Sequence, residues 1–207
     1  MALVIPRWAD PVTLQGTRVT LTPLSPDHHD DLVQAVKDGE LWKLWYTFVP
    51  PPEQMGSEID RRLYLQVQGL MLPFTVIDRA TGMAVGMTTL HIDVTTVHLG
   101  IAGRRLEIGS TWYCQRMQRT HLNTECKYLL LTHAFEALDC IAVQFTTSFF
   151  NHRSRRAIER LGAKLDGVLR SHMILADGVL RDTCVYSIVR SEWPAVKAHL
   201  TWQRQRP

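Results

Sequence analysis

The stretch LEIGSTWYCQRMQRTHLNTECKYLLLTHAFEALDCIAVQF, residues 106–145, decides the fold. It has the pattern of a strand, a loop, a helix and a second strand. The helix is the clearest in the chain, because one set of residues follows helical spacing: Leu122, Cys126, Leu129, Leu130, His133, Ala134 and Leu138. A loop that leads into a helix presents free backbone N–H groups and the positive end of the helix dipole. The stretch therefore predicts a site for a phosphate group at the start of this helix.

Segments with strand and helix patterns alternate on both sides of this stretch. They are a strand at 18–24, helices at 25–36 and 53–68, a hairpin at 73–92, a helix at 151–162, a hairpin at 167–189 and a final helix at 191–200. Ser25 has the position of an N-cap, with Pro26 in the first turn. This order predicts one α/β (α+β) domain over residues 1–207, with helices on both faces of a sheet. We expect residues 1–16 to form an N-terminal extension and residues 200–207 a flexible tail.

The composition is that of an ordinary soluble protein. Of 207 residues, 45% are hydrophobic and 21% are charged, and the net charge of +3 requires no general attraction to nucleic acid. No apolar stretch reaches the ~20 residues of a membrane-spanning helix, and residues 1–12 lack the pattern of a signal peptide. We therefore expect a cytoplasmic protein with no membrane partner.

Two kinds of chemistry find no support in the residue pattern. Four cysteines form no CxxC pair, and we expect them to be buried free thiols: Cys114, Cys126, Cys140 and Cys184. His28 and His29 are adjacent in a predicted helix and diverge by about 100°, so they cannot easily share a metal ion. The chain has no G-x-S-x-G motif, which argues against a serine hydrolase.

Six segments, in this order and spacing, carry a resemblance to a known family. They are GTRVTLTPLSPDHHDDL, FTVIDRATGMAVGMTTL, LEIGSTWY, NTECKYLLLTHAFE, NHRSRRAIERLGAKLDGVLR and DGVLRDTCVYSIVRSEWPAV. Together they resemble the GNAT superfamily of N-acetyltransferases, and within it the RimJ/RimL-like branch. The resemblance implies a single mixed, mostly antiparallel sheet of six to seven strands that is splayed in the middle. It also implies acetyl-CoA as the acetyl donor, with no metal.

The resemblance gives the loop before the long helix a role in binding the coenzyme. The family's pyrophosphate loop, Gln/Arg-x-x-Gly-x-Gly/Ala, falls on Gln118, His121 and Asn123, so two of its small residues are replaced. The implied coenzyme-binding set is Gln118, Arg119, Thr120, His121, Leu122, Asn123 and Thr124. The imidazole of His121 either pushes the coenzyme outward or donates to a phosphate, and we expect the second. The plainer alternative is a helix N-cap formed by Asn123.

The strand at 104–113 resembles the family's splayed strand. The resemblance implies that it pairs with pantetheine and polarises the thioester carbonyl through a backbone N–H. The coenzyme-binding residues that it implies are Gly109, Ser110, Thr111 and Trp112. Glu107 is the candidate ligand or general base for the acceptor amine. The alternative for Glu107 is a solvated carboxylate on a strand.

Two further catalytic candidates lie at the start of the helix at 151–162, where Asn151 and Ser154 match the family's Asn-x-x-Ser. Asn151 would bond pantetheine or the acceptor, and Ser154 would donate to the leaving thiolate. Simple helix capping is the alternative for both. Arg153 and Arg156 are candidates for contacts with the coenzyme's phosphates, although such a run is more often a solvated basic face.

An aromatic stretch supplies the candidate substrate-binding residues. Trp42, Trp45 and Tyr46 fall in the region that walls the acceptor cleft in this family, and Glu107 completes the implied substrate-binding set. The alternative for the aromatic residues is ordinary core packing.

These implications predict an acetyl-CoA-dependent N-acetyltransferase. Its acceptor would be a primary amine, either a protein N-terminus or a small molecule, which attacks the thioester directly in a ternary complex. Because the phosphate loop departs from the family pattern, a non-catalytic module that binds acyl-CoA or associates with RNA or the ribosome stays open as an alternative. We expect no nucleic-acid partner. A homodimer also stays open, since the C-terminal hairpin could pair across a dimer.

Overall fold

The computed structural model describes residues 10–92, 105–175 and 177–205. Within these ranges the chain forms eight strands and five α-helices. In chain order they are β1 (Leu14–Gln15), β2 (Val19–Pro23), α1 (His29–Lys37), α2 (Met55–Val67), β3 (Met71–Asp78), β4 (Ala84–Ile92), β5 (Arg105–Tyr113), α3 (Leu122–Thr132), β6 (Ala142–Ser148), α4 (His152–Arg160), β7 (Lys164–Ile174), β8 (Leu180–Val189) and α5 (Trp193–Gln205).

The eight strands form one mixed sheet in the order β1-β2-β3-β4-β5-β6-β8-β7. Neighbouring strands are antiparallel except β5 and β6, which are parallel. The predicted fold class, a mixed and mostly antiparallel sheet with helices, is thus confirmed. The strand count is eight instead of six to seven, because β1 has only two residues and is too short to show a periodic pattern.

The sheet is splayed between its two parallel strands. Strand β5 pairs with β6 at three positions only, from Arg105 opposite Ala142 to Glu107 opposite Gln144. Among the described residues, no pair joins the rest of β5 to β6. A cleft therefore opens between the carboxyl ends of these strands, as the family resemblance implies.

The helices lie on both faces of the sheet. On β4, Thr89 accepts a hydrogen bond from Arg62 of α2, whereas the adjacent Thr88 accepts one from Lys127 of α3. Since successive residues of a strand point to opposite faces, α2 and α3 cover opposite sides. Strands β3 and β4 are buried almost along their length, which explains their continuous apolar runs.

The helix starts agree with the sequence in one case and differ in another. Ser25 caps the turn before α1 as predicted, with its side chain accepting from the backbone N–H of Asp27. Helix α3 begins at Leu122, two residues earlier than a cap by Asn123 would allow. The Asn123 side chain instead accepts a hydrogen bond from the hydroxyl of Tyr113 at 3.1 Å. The alternative of a plain Asn123 cap is therefore wrong.

The two predicted ends of the chain fare differently. Helix α5 continues to Gln205 and buries Leu200 completely, so the proposed tail at 200–207 begins inside a packed helix. The helical spacing of the apolar Leu200 favours a packed helix here, and this outweighs the position of the segment near the chain end. Of the predicted N-terminal extension, residues 1–9 lie outside the described residues, and Leu14–Gln15 forms β1.

All four cysteines are buried free thiols, as predicted. Among the helices of the described ranges, none combines the length and hydrophobicity that a membrane crossing requires.

Candidate active site

A bulge in β5 shapes the cleft. Between the pairs Thr89–Gly109 and Met87–Trp112, β5 contains one residue more than β4. Ser110 takes up the extra length with a φ of 49°, in the left-handed region. A bulge bends its strand and strengthens the local twist, so this one turns the end of β5 away from β6. The backbone of 108–113 is left without a strand partner on its β6 side among the described residues.

Glu107 lies at the closed end of the cleft, where β5 and β6 still pair. The hydroxyl of Thr146 on β6 donates to Glu107 Oε1 at 2.6 Å. Burial raises the pKa of the Glu107 carboxyl, and the opposing effects of hydrogen bonds from Thr146 and Gln144 do not cancel it. A carboxylate with a raised pKa is a stronger base than a solvated glutamate, which suits a group that receives a proton.

His91 is a site residue that sequence reasoning missed. It lies on β4 directly opposite Glu107, and its Nε2 is 3.0 Å from the hydroxyl of Ser110. Burial, together with the charges of Arg62 and Arg61, lowers the pKa of His91 to about 4. The imidazole is therefore neutral near pH 7. The sequence gives no signal for this contact, because it depends on the register between β4 and β5.

Gly109 lets these two side chains pack close to the backbone of β5. A Cβ at this position would lie 3.0 Å from Glu107 Oε1 and 3.2 Å from His91 Nε2. A cavity of about 230 Å³ lies beside Glu107 and is lined by His91, Arg105, Glu107 and Gln144, among others. The closed end of the cleft is thus a small chamber with a carboxyl and a neutral imidazole on its walls.

The loop before α3 is held by side chains rather than by glycines. Gln118 Nε2 donates to the carbonyl of Tyr113 at 3.1 Å, and the Thr120 hydroxyl donates to the carbonyl of Met117 at 2.8 Å. The left-handed residue of the loop is Arg119, with a φ of 62°. His121 has a helical φ of −69°, so this position requires no glycine for its backbone conformation.

The first turn of α3 presents open donors. Within the part of the chain that the structure describes, the backbone N–H groups of Asn123 and Thr124 have no hydrogen-bond acceptor. His121 occupies the cap position and its side chain forms no capping bond. These N–H groups stand at the positive end of the helix, where an anion is stabilised.

Glu125 anchors this turn from behind. Its carboxylate, which is almost fully buried, accepts from the backbone N–H groups of Thr17 and Arg18 at 2.7 and 2.9 Å and from Arg204 of α5 at 2.9 Å. Burial opposes the charged form, but these three donors outweigh it and lower the pKa of Glu125. The start of α3 is therefore tied both to the β1–β2 turn and to α5.

The second predicted helix start lies at the same edge of the sheet. Because β5 and β6 are parallel, the loops that follow them leave from a common edge. Asn151 is the N-cap of α4, and its side chain accepts from the backbone N–H of Ser154 at 3.0 Å. The capping hydrogen bond that was the alternative role for Asn151 is thus present. The catalytic roles of Asn151 and Ser154 stay predictions.

The arginines of α4 divide into two kinds. Arg155 donates to the hydroxyl of Tyr186 and stacks over the ring of Phe149, so it holds α4 against the sheet. Arg153 and Arg156 are exposed and form no ion pair with any described residue. Their contact with a phosphate stays a prediction.

The aromatic candidates for substrate binding differ in their packing. Trp42 packs against the core, which favours the core alternative for this residue. Trp45 is 51% exposed, and its ring lies 5.6 Å from that of Tyr46 and 5.5 Å from that of Phe150. Through Phe150, Trp45 links the loop between α1 and α2 to the carboxyl end of β6. A role for Trp45 and Tyr46 in binding the acceptor stays a prediction.

Comparison with known proteins identifies the family of this fold and site. Residues 18–164 match the model of the GNAT acetyltransferase domain. The chain therefore belongs to the GNAT family of acetyltransferases. The predicted enzyme class, an N-acetyltransferase, is confirmed by this match and by the named relatives.

Three relatives illustrate the similarity. A GCN5-related N-acetyltransferase from Brucella melitensis shares 31% identity over 94% of this chain and 86% of its own, with a TM-score of 0.80. The Bacillus subtilis protein "Putative ribosomal N-acetyltransferase YdaF" is 29% identical over 86% of this chain and 95% of its own length. The fold is shared with Mycobacterium smegmatis RimJ, at 20% identity and a TM-score of 0.77 over 93% of this chain and 95% of that one. The names of the last two agree with the predicted RimJ/RimL-like branch.

Proposed function

We propose that this protein moves an acetyl group from acetyl-CoA to a primary amine, a protein N-terminus or a small amine, by direct attack in a ternary complex. The observation that carries the proposal is the chamber at the closed end of the cleft. There the Glu107 carboxyl and the neutral His91 imidazole lie on paired positions of β5 and β4 and line the same cavity of about 230 Å³.

The opposite end of the cleft fits a phosphate-bearing donor. The amides of Asn123 and Thr124 are open in the described residues, and the side chain of Arg119 extends from the same loop. From Glu107 to Tyr113 the strand spans six residues, or about 20 Å at roughly 3.4 Å each. A ligand that reaches from the helix start to the chamber must therefore be long and extended, as acetyl-CoA is. When bound, it would supply a thioester whose carbonyl carbon reacts with an amine.

The chamber residues act on the acceptor amine. An amine attacks only when neutral, and Glu107 would orient it and take its proton, directly or through water. A lysine amine has a pKa of about 10.4 and an α-amine about 7.7–8.0, against about 4.3 for an ordinary glutamate. The raised pKa of Glu107 narrows both differences equally, and the difference that remains is smallest for an α-amine. We therefore favour a protein or peptide N-terminus over a lysine side chain.

His91 contributes a polar but uncharged imidazole to the chamber. Because its pKa is low, the imidazole does not repel an ammonium group that approaches Glu107. Its hydrogen bond with Ser110 also ties β4 to the bulge. At the other side of the cleft, the Ser154 hydroxyl has no partner among the described residues and is available to donate to a leaving thiolate.

The proposal is tested by measuring thiol release from acetyl-CoA with a panel of acceptors. The panel contains peptides with a free N-terminus, the same peptides with a blocked N-terminus and one internal lysine, and small primary amines. We expect turnover with free N-termini and at least tenfold less with the lysine peptide. Tight acetyl-CoA binding without turnover on any amine would contradict catalysis and favour a non-catalytic binding module.

A further inference from the structure

One lysine is buried in the interface between α3 and the sheet. Only 5% of Lys127 is exposed. Its Nζ donates to the hydroxyl of Thr111 at 2.6 Å and to that of Thr88 at 3.2 Å. Among the described residues, no carboxylate lies within ion-pair distance of Lys127.

Packing alone does not account for a lysine at this position. A buried ammonium without an acidic partner opposes folding, whereas an apolar side chain of similar length would fill the same space without that penalty. The neighbours on α3 give no compensation. The Cys126 thiol is neutral because burial raises its pKa to about 12, and the Glu125 carboxylate turns to Arg204. A buried charge of this kind, close to a cleft, is a candidate for a functional role.

The contacts of Lys127 lead to the bulge in β5. The Thr111 hydroxyl, which accepts from Lys127, lies 3.3 Å from the carbonyl oxygen of Gly109 and donates to it. Thr88 faces the bulge from β4 and its hydroxyl is 2.7 Å from that of Thr111. Hydrogen bonds in such a chain strengthen one another. Lys127 thus holds the residues on both sides of Ser110 and joins them to the helix whose first turn would bind phosphate.

We infer that Lys127 is a positioning residue for acetyl transfer: held by Thr88 and Thr111, its ammonium group fixes the bulged part of β5 and places a positive charge beside the strand that would receive the thioester carbonyl. The inference rests on the proposed acetyl transfer. Negative charge develops on the carbonyl oxygen during attack, and a fixed donor or charge nearby stabilises it.

The ionisation of Lys127 makes the inference testable. Burial lowers the pKa of Lys127 to about 8. The titratable group that acts on Lys127 is the Cys126 thiol, which interacts in turn with the Tyr113 hydroxyl, and burial raises the pKa of both. Lys127 is therefore charged below about pH 8 and loses its charge above it, within the range in which the enzyme is assayed.

The experiment compares wild type with Lys127→Met, Lys127→Arg and the control Lys37→Met, which changes an exposed lysine. Values of kcat and KM for acetyl-CoA are measured between pH 6.5 and 9.5, with thermal unfolding in parallel. We expect Lys127→Met to unfold at the wild-type temperature or above it, since a buried charge is removed. Its kcat should fall about tenfold or more at pH 7 while KM changes less than about threefold.

The pH profile separates positioning from packing. The ratio of wild-type kcat to that of Lys127→Met should decline above about pH 8, because Lys127 loses its charge there. Ionisation of the acceptor amine affects both enzymes equally and therefore cancels in the ratio. Lys127→Arg, which keeps its charge, should retain more activity than Lys127→Met and show no such decline.

Equal kcat in wild type and Lys127→Met, or a ratio that is flat with pH, would overturn the inference. If neither variant folds, wild-type kcat is measured on an acceptor that stays neutral between pH 6.5 and 9.5. A kcat that shows no loss above pH 8 would then overturn the inference as well. Absence of turnover in the wild type itself would instead overturn the proposed function.

Discussion

Replacing Glu125 with alanine should strongly destabilise the fold, because this carboxylate accepts three hydrogen bonds while almost fully buried. Its donors are the backbone N–H groups of Thr17 and Arg18 and the guanidinium of Arg204. Each hydrogen bond to a charged group contributes about 1.5–3 kcal/mol, and the three are not additive because they share one acceptor. Breaking a buried ion pair from one side costs about 3–5 kcal/mol. We expect Glu125→Ala to lower the free energy of unfolding by about 3–5 kcal/mol.

A graded pair of variants sharpens this prediction. Glu125→Gln keeps one acceptor oxygen without the charge, and should lose about 1.5–3 kcal/mol. The matched control is Glu53→Ala, which removes an exposed glutamate and should stay within about 0.5 kcal/mol of wild type. Equilibrium unfolding in urea at pH 7 gives the free energies. A loss below about 1 kcal/mol for Glu125→Ala would refute the anchoring role.

The same network predicts a dependence on pH. Because the pKa of Glu125 is lowered in the folded state, its contribution is fully present above the ordinary value of 4.5. It is lost as the pH falls below 4.5 and through the lowered folded pKa. The difference in stability between wild type and Glu125→Ala should therefore be constant near neutral pH and shrink in acid. A difference that grew in acid would contradict the direction of the shift.

Three further changes test the cleft. Gly109→Ala places a methyl group 3.0 Å from Glu107 Oε1 and 3.2 Å from His91 Nε2 and should displace both side chains, so kcat/KM should fall about tenfold or more with little change in thermal unfolding; unchanged kinetics would show that the position of these two side chains does not matter for transfer. Thr146→Val removes a hydrogen bond that favours the charged carboxylate, so the pKa of Glu107 should rise and the acid limb of the kcat/KM profile should move to higher pH; movement to lower pH would be the contrary result. His121→Gly removes a donor from the phosphate loop, and calorimetry should show weaker acetyl-CoA binding, whereas tighter binding would mean that the imidazole obstructs the site.

Local patterns in the sequence were sufficient for most of the fold. The helical spacing of residues 122–138 located α3, and Ser25 with Pro26 located the turn before α1. The hairpin predicted at 167–189 is formed by β7 and β8, and it turns at Gly178, whose φ of 82° favours glycine. Each of these signals depends on neighbours in the chain, so it can be recognised without the tertiary structure.

The features that the sequence missed depend on contacts between distant residues. His91 meets Glu107 only through the register of β4 and β5, and Lys127 meets Thr111 only through the packing of α3 on the sheet. The partners of Glu125 are equally distant in the chain, about a hundred residues earlier at 17–18 and on the last helix. Spacing in one sequence carries no record of such pairs.

The phosphate loop shows how a family pattern can mislead about conformation. The pattern expects small residues at 121 and 123, where this chain has His121 and Asn123. Both residues have helical positions that any side chain tolerates, and the left-handed conformation falls on Arg119 instead. The open amides of the first turn are thereby retained without glycine.

The most direct test of the account compares acetyl transfer by wild type, Glu107→Gln and the exposed control Glu53→Gln on a peptide with a free N-terminus. Acetyl-CoA affinity is measured in parallel by calorimetry. We predict that Glu107→Gln binds acetyl-CoA as wild type does but loses about 10²–10⁴ in kcat/KM, while the control keeps full activity. Wild-type kinetics in Glu107→Gln, or tight acetyl-CoA binding with no transfer by the wild type, would contradict the central claim that this chamber performs acetyl transfer.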